Sequence, residues 1–210
     1  YHAGYCTTSG CYNVSMGFAA LRGTTTASNN TAIGTCALYN NTGGSNTAVG
    51  AVAMQNNTTG EYSIAMGRYA LNDNSTGCRN VALGYAAMLS NTTASQNTAV
   101  GSCALYTNTT GIKNDAFGFM ALKSTTTGCC NTASGSYALG LNTTGCKNVA
   151  VGGSALYTSV SANNNTAVGY HAACSTTTGG GNTAIGSHAL LSNTTPSLNT
   201  AVGYFAMYKN

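Results

Sequence analysis

The sequence predicts an all-β parallel solenoid (β-roll) of about twelve coils, and three observations lead to this prediction. A glycine recurs at a nearly constant interval along the chain. Short apolar segments alternate with clusters of Asn, Thr and Gly. Charged residues make up only 5% of the 210 residues, far less than a globular surface usually carries. A short structural unit repeated along the chain accounts for all three observations.

The recurring glycine defines a repeat of 17 residues. Its twelve copies are separated by ten intervals of 17 residues and one of 16. Numbered from this glycine as position 0, the residue at −2 is Ala in every repeat but the first, and the residue at +3 is always Ala. Larger apolar residues occupy most copies of −1, and Leu or Met most copies of +4. The glycines are Gly17, Gly34, Gly50, Gly67, Gly84, Gly101, Gly118, Gly135, Gly152, Gly169, Gly186 and Gly203.

A unit of 17 residues is too short for the two helices of a helical repeat, which need roughly 33 residues. The segment Asn-Thr-Ala-Val-Gly favours a strand of four or five residues. We expect the Ala-Leu segment at +3 and +4 to form a second, shorter strand, and Asn-Thr-Thr-Gly to form the turn between coils. Residues 1–210 then form a single repeat domain, which we expect to be an uncapped segment of a longer fibre.

Stacking places each residue above its copy in the next coil, about 4.8 Å away. The two alanine positions should therefore point into a flat coil that is too thin for a true core. Glycine at position 0 suits a tight corner with positive φ or close backbone approach. Asn at −4 should form a ladder of amide hydrogen bonds along the stack. The ladder consists of Asn13, Asn30, Asn46, Asn80, Asn97, Asn114, Asn131, Asn148, Asn165, Asn182 and Asn199.

The apolar residues at −1 and +4 each neighbour an alanine position, so period-two alternation predicts that both face outward. An apolar stripe along the outside of a rod needs a partner, and copies of the same chain supply one. We therefore expect a homotrimer. Stacking of such trimers end to end would give a filament. Twelve coils would span roughly 58 Å along the rod.

Composition argues against several functional classes. The net charge of +4 comes from scattered basic residues, so we expect no nucleic-acid partner. No apolar run approaches the roughly 18 residues of a membrane span. The acidic residues Glu61, Asp73 and Asp115 lie in three different repeats and at three different positions, so they form no acid–base pair. We expect neither enzymatic activity nor a cofactor.

Nine cysteines favour an oxidising compartment, and their spacing matches no zinc motif. Cys129 and Cys146 share position +11 in adjacent coils, which puts their Cα atoms within disulfide range. Cys6 and Cys11 flank the first turn and are a second disulfide candidate. The odd count leaves at least one thiol free or paired with another chain.

Sequons for N-glycosylation recur on the predicted turn at position +7, where an accessible edge would offer a column of glycans. The alternative is that Asn-Thr-Thr is simply favourable turn chemistry. The candidates are Asn57, Asn74, Asn91, Asn108, Asn142 and Asn193.

Histidine and aromatic residues also recur at fixed positions. His171 and His188 stack at +2 and are weak candidates for a metal site in a trimer, although other residue types at +2 favour a variable surface position. Aromatic residues recur at +1 and tyrosines at +5. Such rows either stack on sugars or pack against a neighbouring coil or chain.

The Asn-Thr-Ala-Val-Gly units at residues 46–50, 97–101, 165–169 and 199–203 resemble two kinds of surface fibre. One is the head of trimeric autotransporter adhesins, and the other is the repeat region of phage and giant-virus tail fibres. The resemblance covers essentially the whole chain and implies a left-handed β-roll shared by three chains. The longer repeat, the Asn-Thr-Thr turns and the cysteines depart from the adhesin heads.

These patterns favour the structural shaft of an extracellular fibre, either a cell-surface appendage or part of a virion. The alternative is an adhesin that binds surface glycans or a host surface through the solenoid face. Ice binding is a third interpretation, because flat Thr columns can order water. The Thr column at −3 is interrupted in five repeats, which argues against it.

Overall fold

The structure is a computed structural model that describes residues 2–195 and 197–208. All of the regular secondary structure in the described residues is β, with one short strand in each repeat. The strands are β1 (Val14–Met16), β2 (Thr31–Ile33), β3 (Thr47–Val49), β4 (Ile64–Met66), β5 (Val81–Leu83), β6 (Thr98–Val100), β7 (Asp115–Phe117), β8 (Thr132–Ser134), β9 (Val149–Val151), β10 (Thr166–Val168), β11 (Thr183–Ile185) and β12 (Thr200–Val202).

The twelve strands form one parallel sheet in which sequence order and spatial order coincide. Each residue pairs with the residue at the same repeat position in the next coil, as Ala99 does with Ala116. The 16-residue repeat keeps this register, because Thr31 still pairs with Thr47. The missing residue is therefore absorbed outside the strands. The predicted parallel β-solenoid with its 17-residue repeat is confirmed.

The prediction of a second strand at +3 and +4 is wrong, because the chain turns there instead. Residues at +2 and +4 adopt the left-handed backbone conformation, as Cys36 (φ 55°) and Leu38 (φ 51°) illustrate. A third left-handed position recurs at +12, for example at Gln96. The turns are nonetheless hydrogen-bonded between coils: the N–H of Leu38 donates to the carbonyl of Ala53 at 3.0 Å.

This turn geometry also corrects the predicted direction of the +4 side chains. A strand would point +3 and +4 to opposite sides. The two left-handed residues remove that alternation, so Leu105 at +4 and Ala104 at +3 are both fully buried. The coil interior therefore has a true core, contrary to the expectation of a coil too thin to hold one. It consists of alanines at −2 and +3 packed against a column at +4 that is Leu or Met in every coil from Leu21 to Leu190 except at Ala173.

The corner glycines fit the role predicted for them. Gly84 has φ of +134°, a conformation that side chains rarely adopt. A Cβ atom built on it would lie 2.7 Å from the carbonyl carbon and oxygen of Gly101 in the next coil. Glycine at position 0 therefore allows both the corner and the close stacking of coils.

Candidate functional site

The repeat makes columns of identical side chains rather than one isolated site. The Asn column at −4 lies inside the coil and is buried along most of its length. The backbone N–H of Asn46 donates to Oδ1 of Asn30 at 2.9 Å, and Nδ2 of Asn46 donates to the carbonyl of Gly60 at 2.8 Å. Where Ser63 replaces Asn, its Oγ accepts the N–H of Asn80 at 3.1 Å. The predicted ladder is confirmed, and it links backbone as well as side chains.

The expectation that the +7 sequons lie on an accessible turn is wrong, because these side chains point into the coil. Nδ2 of Asn74 donates to Oδ1 of Asn57 at 2.6 Å and to the carbonyl of Gly77 at 2.9 Å. With their amides enclosed, the sequons offer no surface attachment point for a sugar in the folded chain. The buried residues are Asn57, Asn74, Asn91, Asn108, Asn142 and Asn193.

The +7 column is a second amide ladder, and it is interrupted where another residue replaces Asn. Thr125 and Ser159 are fully buried at such interruptions. Oδ1 of Asn108 and Oδ1 of Asn142 have no hydrogen-bond partner there. The remaining contact at Thr125 is long, with Nδ2 of Asn142 donating to its Oγ1 at 3.4 Å.

The outer face of the sheet carries the side chains at −3 and −1. Val151, Val168, Ile185 and Val202 at −1 follow one another in four consecutive coils, and all are exposed. The predicted outward orientation is therefore confirmed for −1 alone, since the +4 column is internal. The result is an apolar strip along the rod, flanked by the more polar −3 column.

The candidate metal pair stacks as predicted, with His171 and His188 ring centroids 5.5 Å apart and 17° between the planes. His188 stacks in turn on Phe205 at 4.7 Å. No cluster of three or more metal-ligating side chains occurs within residues 2–195 and 197–208. The pair therefore forms part of a column of stacked rings at +2.

The two disulfide candidates differ in geometry. The Sγ atoms of Cys129 and Cys146 are 2.8 Å apart, which is longer than a disulfide bond of about 2.05 Å. The hydrogen bond with Cys146 and the burial of the thiol raise the pKa of Cys129 to about 12. Cys6 and Cys11 are both exposed free thiols, and the Sγ of Cys11 donates to the carbonyl of Ser9 at 3.5 Å. The thiols of Cys129 and Cys146 are therefore in contact across adjacent coils but are not bonded.

The three acidic residues lie on separate coils, at positions +11, +6 and −3. Asp73 accepts a hydrogen bond from Nδ2 of Asn56 at 3.2 Å. No pocket is found in the part of the chain that the structure describes. The rod therefore presents columns of exposed side chains to its surroundings.

Sequence reasoning overlooked the inward direction of +4 and +7, although the repeat holds a signal for +4. Val and Ile are common at −1, whereas no copy of +4 is β-branched. Branching at Cβ disfavours the left-handed conformation that +4 adopts. The Asn residues at +7 carried no such signal, because Asn is also common in exposed turns.

Comparison with known proteins adds no relative. No protein-family model, curated protein or solved structure matches the chain. No helix in the described residues is long and apolar enough to cross a bilayer. The function proposed for the chain therefore rests on the geometry of the chain itself.

Proposed function

We propose that this chain is the structural shaft of an extracellular or virion fibre, in which three identical chains lie side by side and provide length and rigidity. The observation that carries the proposal is the uninterrupted in-register sheet of twelve strands with an exposed apolar strip along its outer face. A long rod of constant cross-section suits a spacer, and an apolar strip in water favours association.

Internal hydrogen bonding supports the same role. The −4 ladder ties each coil to the next through side chains and backbone, and the +7 ladder adds further links where Asn recurs in adjacent coils. Hydroxyls at +8 add a further row, in which Oγ1 of Thr109 donates to the carbonyl of Thr126 at 3.1 Å. Such a rod resists local opening, because an opened coil leaves buried polar groups without partners.

The test is to measure chain number and shape together. Native mass spectrometry of the purified chain should give a trimer, and electron microscopy should show rods of roughly 58 Å or multiples of that length. The double variant Val151→Asp with Val168→Asp should dissociate into single chains, because it puts charge on the apolar strip. A matched control, Thr127→Asp with Thr144→Asp, stacks the same charges on an exposed turn and should leave the trimer intact.

Two results would reject the proposal. If the wild-type chain stays monomeric at all concentrations, its apolar strip does not drive association. Equal dissociation by both double variants would show that association depends on charge repulsion rather than on the sheet face.

A further inference from the structure

A column of exposed aromatic rings follows the corner glycine, at position +1. Its members are Phe18, Tyr85, Phe119, Tyr170 and Tyr204, and all are exposed, Tyr204 to 75%. The column contains one motif twice: two aromatic residues in alternate coils with a serine in the coil between them. These triplets are Tyr85, Ser102 and Phe119, and Tyr170, Ser187 and Tyr204.

The ring of Tyr204 is turned across the neighbouring rings at +2, whereas the ring of Tyr170 is tilted, at 53° to His171 and 70° to His188. The +2 rings of consecutive coils stack along the rod, as His188 does on Phe205 with 3° between the planes. Tyr204 meets Phe205 at 88°, and Phe119 meets Tyr137 at 87°. The plane of the Tyr204 ring therefore runs along the rod, and that of Tyr170 is inclined to it. The exposure of both rings leaves ring surface open to solvent.

The spacing of these rings is set by the backbone. Consecutive coils are about 4.8 Å apart, so aromatic residues in alternate coils repeat at about 9.6 Å. In an extended β-1,4-linked polysaccharide, each sugar is turned by half a revolution relative to the last, so equivalent faces recur at every second sugar. That disaccharide period is close to two coil spacings.

We propose that the +1 column binds an extended, neutral β-1,4-linked polysaccharide of the cellulose or chitin type, lying parallel to the rod. The aromatic rings cover the apolar faces of alternate sugars, and the serine between them donates or accepts a hydrogen bond with the intervening sugar. This binding role goes beyond the shaft function and does not depend on the number of chains in the fibre.

Charge and rigidity fit this ligand. Positions 0, +1 and +2 carry no charged residue in the three coils of either triplet, which favours a neutral glycan over a sulfated or uronic-acid polymer. The rings stand on a backbone already held by hydrogen bonds between coils, such as that from the N–H of His188 to the carbonyl of Tyr170 at 2.9 Å. Little further ordering is then needed on binding.

The test is depletion of the purified protein onto insoluble cellulose and chitin, with granular starch as the α-linked comparison. Wild-type protein should bind one or both β-1,4 polymers and not starch. Tyr170→Ala with Tyr204→Ala should lower the affinity about tenfold or more, because two stacking contacts are lost. Tyr12→Ala with Tyr62→Ala removes two exposed tyrosines from position +12 and should change nothing.

A spacing variant distinguishes binding that depends on the spacing of the rings from non-specific binding to exposed aromatic residues. Tyr204→Ala with Ser187→Tyr keeps two exposed tyrosines but places them in adjacent coils, so binding should stay as weak as in the double alanine variant. The proposal is overturned if wild-type protein binds neither polymer or binds starch equally. It is also overturned if the +12 variant loses as much affinity, or if the spacing variant binds like wild type.

Discussion

Replacing Thr125 with Asn should stabilise the protein, because it repairs a break in the buried +7 ladder. In the intact part of the ladder, each Asn donates to the Asn of the preceding coil at 2.6 to 3.2 Å, as Asn74 does to Asn57 at 2.6 Å. At the break, Oδ1 of Asn108 has no partner, and Asn142 reaches Thr125 only at 3.4 Å. An amide at this position supplies the missing donor and a better-placed acceptor.

The magnitude follows from the cost of a buried polar atom without a partner. That cost is about 1–3 kcal/mol, and an ordinary hydrogen bond adds about 1 kcal/mol net. Thr125 is fully buried and its column accepts Asn in the neighbouring coils, so little strain is expected. We therefore expect Thr125→Asn to raise the free energy of unfolding by about 1–2 kcal/mol.

The reverse substitution is the matched control. Asn74→Thr creates the same break in an intact stretch, leaves Oδ1 of Asn57 without its donor, and should destabilise by about 1–3 kcal/mol. Denaturation midpoints in guanidinium chloride give the overall effect. Hydrogen exchange gives the local one, which matters because repeat arrays can open coil by coil.

The expected local signature is slower exchange of the backbone amides around residues 108–142 in Thr125→Asn. Stabilisation by the amide column is refuted if Thr125→Asn is no more stable than the wild type and Asn74→Thr loses no stability. That result would mean that the amide column adds nothing beyond filling space.

Three further predictions concern other columns. Mild oxidation by oxidised glutathione should join Cys129 to Cys146, which intact-mass measurement would detect as the loss of two hydrogens. The reaction should accelerate as pH rises, because the raised pKa keeps the Cys129 thiol protonated near neutrality. Gly84→Ala should destabilise by about 2–4 kcal/mol in denaturant titrations, because its φ and the next coil both oppose a Cβ atom. Leu105→Ala should destabilise by about 2–5 kcal/mol in the same assay, while the exposed Val168→Ala should stay within about 1 kcal/mol.

Each of these has a discriminating outcome. Cys146→Ser must abolish the mass change, whereas Cys78→Ser must leave it intact. Gly153→Ala should be tolerated, because a Cβ atom there would first meet the flexible ring of Tyr170, at 3.3 Å. Equal losses for Leu105→Ala and Val168→Ala would contradict the inward direction of the +4 column.

Much of this architecture could be predicted because the repeat averages out local ambiguity. Twelve copies of Ala at +3 and eleven at −2 identify interior positions that no single copy would reveal. The −4 Asn ladder could be predicted for the same reason, since an invariant amide in a stacked array meets its own copy. The direction of +4 could not be obtained by alternation, because that rule assumes extended backbone on both sides.

The sequence by itself determined the period, the parallel stacking, the corner glycines and the outward −1 strip, because these depend only on identical residues recurring in register. Only the tertiary structure decided what fills the coil. The left-handed residues at +2 and +4 rotate Leu into the interior, and the closing of the coil draws the +7 amides in with it. Both outcomes depend on backbone torsions that residue type only biases, and packing within the closed coil selects among them.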